Sequence, residues 1–217
     1  MGNRAIVKPV DSEVGVYLHW NGGRDSVEAF LKYCELRGFR PFGGKGADGY
    51  GIARFMQVVG NFFGGSLSIG LETGVKMTPE YAEFLDNGIY EVDGWNIVGR
   101  CPSDIEEQRE YELLSMMEEI DSAQPKDEQL GKGFIYGIPV KGTELKRGDK
   151  VWVYDEHTLK GPRCRSYTIK QDKKAGSPHR GELYYTHKGI FGSYPVYVKT
   201  WDTYRVDTTT QKEAHQA

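Results

Sequence analysis

The stretch VGVYLHWNGGRDSVEAFL, residues 14–31, decides how the first half of this chain is read. Val14, Val16 and Leu18 alternate with Gly15, Tyr17 and His19, which is the period of a half-buried strand. Gly22 and Gly23 break that period. Asp25 then offers a helix N-cap, with Glu28 at the capping-box spacing. Val27, Phe30, Leu31 and Cys34 share one helical face, and Gly38 is a natural stop. Strand, glycine turn and helix therefore crowd His19, Trp20, Asn21 and Arg24 at one junction. Such junctions suit anions, because the first amides of a helix lack intrahelical partners and the dipole favours negative charge.

Working outward, residues 4–8 (RAIVK) read as a strand. The loop PFGGKGADGY, residues 41–50, sets Lys45 among glycines without the spacing of a phosphate-binding loop. Ile52, Phe55, Met56, Val59, Phe62 and Phe63 predict a buried helix over 50–63. Arg54, one turn into it, needs either a carboxylate or a ligand. Asn61 on the same helix is expected to bond to backbone. A strand is expected over 66–71 and a helix start at Thr78-Pro79-Glu80. A hairpin is expected across Asp93-Gly94, joining 89–92 to 95–98. Ser103 and Glu106 have capping-box spacing, which predicts a helix from 103 to about 122 with a narrow stripe of Leu113, Leu114, Met117 and Ile120. Such an arm makes a homo-oligomer plausible.

The polar segment 123–132 is the expected domain boundary. Beyond it the period changes to two, and 134–140, 150–154, 164–170, 182–186 and 194–206 read as strands between Gly, Pro and Asp turns. The fold class expected is α+β: an α/β domain over 1–124, then a small all-β barrel over 131–208, and a disordered tail over 209–217. The barrel is expected to be SH3-like, with an OB-like barrel as the alternative.

The bulk properties narrow the function. A chain of 217 residues with 38% apolar content can build a real core. It has no apolar run of membrane-spanning length, no signal-peptide pattern at its start, and Ile6 where a myristoylation signal wants Ser or Thr. Cys34, Cys101 and Cys164 are odd in number and far apart, which fits a reducing cytoplasm. Residues 1–130 carry 12 Lys+Arg against 22 Asp+Glu, whereas residues 131–208 carry 15 against 8. Either the halves attract each other, or the basic half meets an anionic partner.

The segments YLHWNGGRDSVEAFLKYC, YGIARFMQVVGNFFGG and DNGIYEVDGWNIVGR together resemble a family of phage- and prophage-encoded proteins of unassigned function. The resemblance covers residues 2–100. It implies an accessory protein made in a bacterial host cytoplasm, and it brings no catalytic residues to carry over.

These readings converge on a non-enzymatic phage-type protein that sequesters a small anionic, nucleotide-derived ligand, as an anti-defence sponge would. The expected ligand-binding residues are His19, Trp20, Asn21, Gly22, Gly23, Arg24, Lys45 and Arg54. Arg24 and the amides would take a phosphate while Trp20 covers a base. The competing reading of the same residues is a packed turn with Trp20 in the core. One alternative function is an accessory protein that binds a host defence protein or nucleic acid through the barrel. That surface would draw on Lys146, Arg147, Lys150, Arg163, Arg165, Lys173, Lys174 and Arg180, near Trp152, Tyr154, Tyr167, Tyr184 and Tyr185. A nucleotide-processing enzyme with His19 as acid or base is the other. Asp104, Glu106, Glu107 and Glu110 read as the acidic start of a solvated helix. No cofactor, metal or membrane partner is expected.

Overall fold

Ala5–Pro9 (β1) is buried along its whole length, because it sits mid-sheet with both faces covered. The structure is a computed structural model and describes residues 2–43, 49–65, 68–104, 106–155, 163–189, 192–200 and 202–207. The chain divides into two compact units, Met1–Pro125 and Lys126–Ala217.

In the first unit, β1 is followed by Val14–Leu18 (β2), helices Arg24–Leu36 (α1) and Gly49–Phe63 (α2), and Ile69–Thr73 (β3). Pro79–Ala82 (α3), Ile89–Asp93 (β4), Asn96–Cys101 (β5) and Leu113–Ala123 (α4) complete it. The sheet order is β3-β2-β1-β4-β5, with β1 and β4 parallel and the other neighbours antiparallel. The helices α1, α2 and α4 pack against one another. Phe30 of α1 meets Phe55, Phe62 and Phe63 of α2 edge-on or tilted, and Phe55 meets Phe42. On the sheet, Ile6 and Ile89 pack with Val75, Ala82 and Leu85. Thr78 caps α3 through its side chain, with Pro79 at the first position, as its sequence predicts.

In this unit two helix starts and the hairpin turn need correction. The N-cap of α1 is Gly23, and Asp25 lies inside the first turn, because its carboxylate is engaged elsewhere. The helix expected from residue 103 begins only at Leu113. Residues 106–110 carry no apolar stripe and are drawn off by bonds to α1, so Glu112 caps α4 instead, accepting from the Ser115 amide. The 89–101 hairpin turns one residue late, pairing Asp93 with Asn96. Trp95 leaves the ladder to pack on Phe42 and donate Nε1–H to the Phe39 carbonyl at 3.3 Å.

The second unit contains Lys132–Ile135 (α5), Ile138–Lys141 (β6), Lys150–Asp155 (β7), Arg163–Thr168 (β8), Lys170–Gln171 (β9), Leu183–Gly189 (β10), Gly192–Tyr197 (β11) and Thr203–Val206 (β12). It forms two small antiparallel sheets, β6-β12-β7-β8 and β9-β10-β11. They share one core of Leu145, Val151, Ile169, Tyr185, Tyr204 and Val206. Among the described residues no ladder joins β11 to β6 or β12. The strand expected over 134–140 starts as a helical turn. Gly131 holds φ at 82°, and Gly133 lies so close to the Trp152 ring that an added Cβ would sit 2.4 Å from it. The strand expected over 194–206 is two strands, because the Asp202 amide turns back onto the Lys199 carbonyl. The expected tail, 209–217, lies outside the described residues.

Between α1 and α4, the buried Tyr33 hydroxyl donates to the Asp121 carboxylate at 2.7 Å. Burial and this neighbour push the phenol far up, so it stays a donor. Tyr33→Phe leaves a buried carboxylate short of a donor. It should lower the unfolding free energy by about 1–3 kcal/mol in urea titrations, with the m-value unchanged. An unchanged midpoint would show that Asp121 does not depend on this bond.

Candidate functional site

The junction after β2 is built by close packing. Asn21 adopts a left-handed backbone, φ 53°, which turns the chain from the sheet towards α1. Gly22 donates its amide to the Asn3 carbonyl at 2.8 Å, and a Cβ there would meet that oxygen at 2.5 Å and the Ala5 amide nitrogen at 2.8 Å. A Cβ on Gly23 would lie 3.0 Å from the Gln108 carbonyl oxygen. Gly22 is thus required by neighbouring backbone, and Gly23 sits in a tight fit against Gln108. Trp20 is 45% exposed, so it does not plug the core. His19 meets it edge-on at 4.9 Å, and the His19 Nδ1 lies 2.9 Å from the Tyr17 hydroxyl.

Arg24 is held by carboxylates. Its Nε donates to Glu28 at 2.6 Å and its Nη1 to Glu107 at 3.0 Å. Arg109 reaches Glu107 at 3.1 Å and Glu28 at 3.6 Å, which closes a ring of two cations and two anions. Burial works against the Glu107 carboxylate, but bonding from Arg109 and the charges of Arg24, Arg109 and Arg100 hold its pKa below the usual carboxylate range. Asp25, buried beneath, accepts the Ser26 amide on one oxygen and the Glu110 and Tyr111 amides on the other. Asn87 donates to Asn3 at 2.8 Å and to Gln108 at 3.2 Å. The segment 106–111 is therefore a strap tied across the start of α1. The nearby Tyr90 phenol is pushed up to about 12, chiefly by burial with Arg100 opposing, and so is no base at neutral pH.

The remaining predicted residues sit apart from this knot or outside the described set. Arg54 is exposed, donates to Gln57 at 2.8 Å and lies 5.6 Å over the Phe39 ring, which removes the need for a buried partner. Asn61 bonds to the Gln124 side chain at 2.9 Å rather than to backbone. Lys45 lies outside the described residues.

A second cluster lies on the second unit. Register places Lys170, Tyr184 and Tyr197 side by side across β9, β10 and β11. Strand alternation puts Leu183 and Tyr185 on the opposite, core-facing side, so this row faces outward. The Tyr184 and Tyr197 centroids are 5.7 Å apart, and His179 stacks on Tyr197 at 4.1 Å. The connection from β9 to β10 is organised by Asp172, which accepts from the Lys174 amide at 2.9 Å, the Ser177 hydroxyl at 2.6 Å and the Tyr197 hydroxyl at 3.1 Å. The Ser177 bond leads in holding that carboxyl below its usual pKa. The loop presents Lys173, Lys174 and Arg180 to solvent. A cavity of about 860 Å³ opens on the core-facing side of these strands, walled by Leu145, Leu183, Val196 and Val198, with Glu182, Tyr197 and Lys199 also lining it. Of the other groups expected here, Tyr185 is core, Tyr167 packs against it tilted with ring centroids 4.9 Å apart, and Lys150 pairs with Asp207 at 3.5 Å. The side chains of Tyr154 and Arg163 are outside the described set.

Sequence reading overlooked Asp25 as a clamp, and Asp172, His179 and Tyr197 as a group. The available signals were a polar stretch without an apolar stripe at 104–112, and the turn-rich QDKKAGSPHRGE between two strands.

No protein-family model, curated protein or solved structure matches the chain. Among the described residues no group of three or more His, Cys, Asp or Glu is placed to hold a metal, and no helix is long and apolar enough to cross a membrane.

Asp25→Ala removes the oxygen that accepts from two strap amides, those of Glu110 and Tyr111. Hydrogen exchange at Glu110 and Tyr111 should then lose about 1–3 kcal/mol of protection, whereas β1 and β4 stay protected. Unaltered exchange at those two amides would mean that the arginine–glutamate ring alone holds the strap.

Proposed function

We propose that this chain is a binding protein that works through its second unit, as an accessory factor that contacts an anionic macromolecule. The observation that carries this reading is the outward row Lys170, Tyr184 and Tyr197 beside an Asp172-pinned loop bearing Lys173, Lys174 and Arg180. Among the described residues those cations have no competing acidic ring of the kind that absorbs Arg24, and the excess of basic residues over 131–208 adds a favourable field. The accessory role accords with the phage-type resemblance of residues 2–100.

We also infer that the two small sheets form an open, SH3-like barrel. Residues 163–171 pair with β7 at one end and with β10 at the other, so one stretch passes between sheets at the buried Ile169. Strand β7 pairs with β8, β9 with β10 and β10 with β11, and β12 returns beside β7. That meander supports an SH3-like barrel over the Greek-key path of an OB fold.

The test is retention on immobilised heparin, a generic polyanion. The wild type should be held and elute with salt, and Lys173→Glu/Lys174→Glu/Arg180→Glu should pass through. A wild type that is not retained at low salt sinks the proposal.

A second reading keeps a small nucleotide-like anion at the junction, and the exposed Trp20 with His19 against it favours this reading. Here a phosphate must displace a carboxylate from Arg24, so Glu107→Gln should tighten binding. Calorimetry with cyclic and ADP-ribose-type nucleotides measures this, and an absence of heat with both proteins removes the reading.

A further inference from the structure

We infer that the outward face of β9, β10 and β11 is a binding site for single-stranded nucleic acid, with bases stacked on His179 and Tyr184 and phosphates on the surrounding cations. This rests on the reading above and names the partner class of the same surface.

Three observations single out that ligand. The first is the arrangement of rings. Tyr184 and Tyr197 are cross-strand partners, and His179 lies nearly parallel on Tyr197, 25° between planes. A flat ring resting on a flat ring leaves its outer face to solvent, and the His179 side chain is 46% exposed. Unpaired bases offer π-faces to such a platform, whereas a duplex keeps its bases stacked on one another. The second is the charge around the rings. Lys170 is in the same transverse row and donates to Thr186 at 3.2 Å, which fixes its ammonium beside Tyr184. Lys173, Lys174 and Arg180 lie on the loop that carries His179. The two acids of this loop are both engaged. Asp172 accepts three bonds, and Glu182 pairs with His179 Nδ1 at 3.1 Å.

The third is rigidity. The ends of the loop are joined by paired backbone bonds, the Asp172 amide to the Glu182 carbonyl at 2.9 Å and the Gly181 amide to the Asp172 carbonyl at 2.8 Å. The Ser177 hydroxyl also accepts the His179 amide at 3.2 Å. Stacking residues held in place before binding cost little to order when the ligand arrives.

Fluorescence anisotropy with labelled single strands of about 12 nucleotides, DNA and RNA, and a duplex of the same length tests this. Full-length protein should bind a single strand at least about tenfold more tightly than the duplex. His179→Ala and Tyr184→Ala should each weaken single-strand binding by about 5- to 150-fold, the range for loss of one stacked base, with duplex binding unchanged. Tyr184→Phe keeps the ring and should bind as wild type, which separates stacking from folding. Equal affinity for single strand and duplex, with His179→Ala and Tyr184→Ala silent, overturns the inference while charge-driven binding stands. A protein that binds neither nucleic acid but is held by heparin also overturns the inference and leaves an anionic protein as the partner. Failure with heparin as well removes the functional reading itself.

Discussion

The carboxylate of Asp25 is the interaction on which the first unit's surface depends. A buried ionised carboxylate is costly unless several donors surround it, and backbone amides are the nearest supply. Asp25 takes one from its own helix and two from residues 110 and 111, far along the chain. That choice has consequences in order. The strap cannot be helical where its amides are spent on Asp25. Once extended, it brings Glu107 and Arg109 against Arg24 and Glu28. The guanidinium on which an anion site at this junction would rely is then shared between two acids, and a side chain at Gly23 would crowd the Gln108 carbonyl.

Asp172 repeats the device with the opposite outcome. It also gathers a backbone amide and two hydroxyls and makes a polar stretch rigid. Here the aspartate absorbs uncharged donors, and the lysines and arginine of the loop stay in solvent. One aspartate therefore builds a neutral knot and the other builds a cationic platform. The difference lies in what the neighbouring strand offers. Tyr197 supplies a hydroxyl and a ring together, so the same residue that anchors the loop also carries His179.

Much of this was legible in the residue pattern, for reasons specific to each element. The β2–α1 unit and the α2 helix carry strong periods, and burial enforced them. The Thr78-Pro79 start carries its own local chemistry. Period two after residue 131 announced the second unit's antiparallel strands. What misled was local signal overruled by distant partners. Ser103 and Glu106 look like a cap only if Asp25, some 80 residues earlier, is ignored. Arg54 looked buried because its helix is apolar, yet it lies on the solvent side. Trp20 could be core or surface by composition alone. His179 and Tyr197 are 18 positions apart, and only the register of β10 with β11 and the turn at Asp172 bring their rings together.

The acidic first unit and basic second unit gain a physical meaning from this contrast. A single phosphate is captured by convergent donors in an enclosed site, and the Gly22 amide and Arg24 guanidinium of the junction are already engaged by protein groups. A polymer of phosphates needs no enclosure. It is attracted by the sum of many dispersed cations, through release of its own counterions, and held in register by whatever stacks its bases. Lys170, Lys173, Lys174 and Arg180 are dispersed around a flat row of rings rather than focused on one point, which is the geometry suited to a chain and poorly suited to a small ion. The same logic accounts for the tolerance of Asp172 and Glu182 within a cationic surface. A focused anion site could not accept two carboxylates among its ligands, but a surface read over several nucleotides can spend them on rigidity and still carry a positive balance.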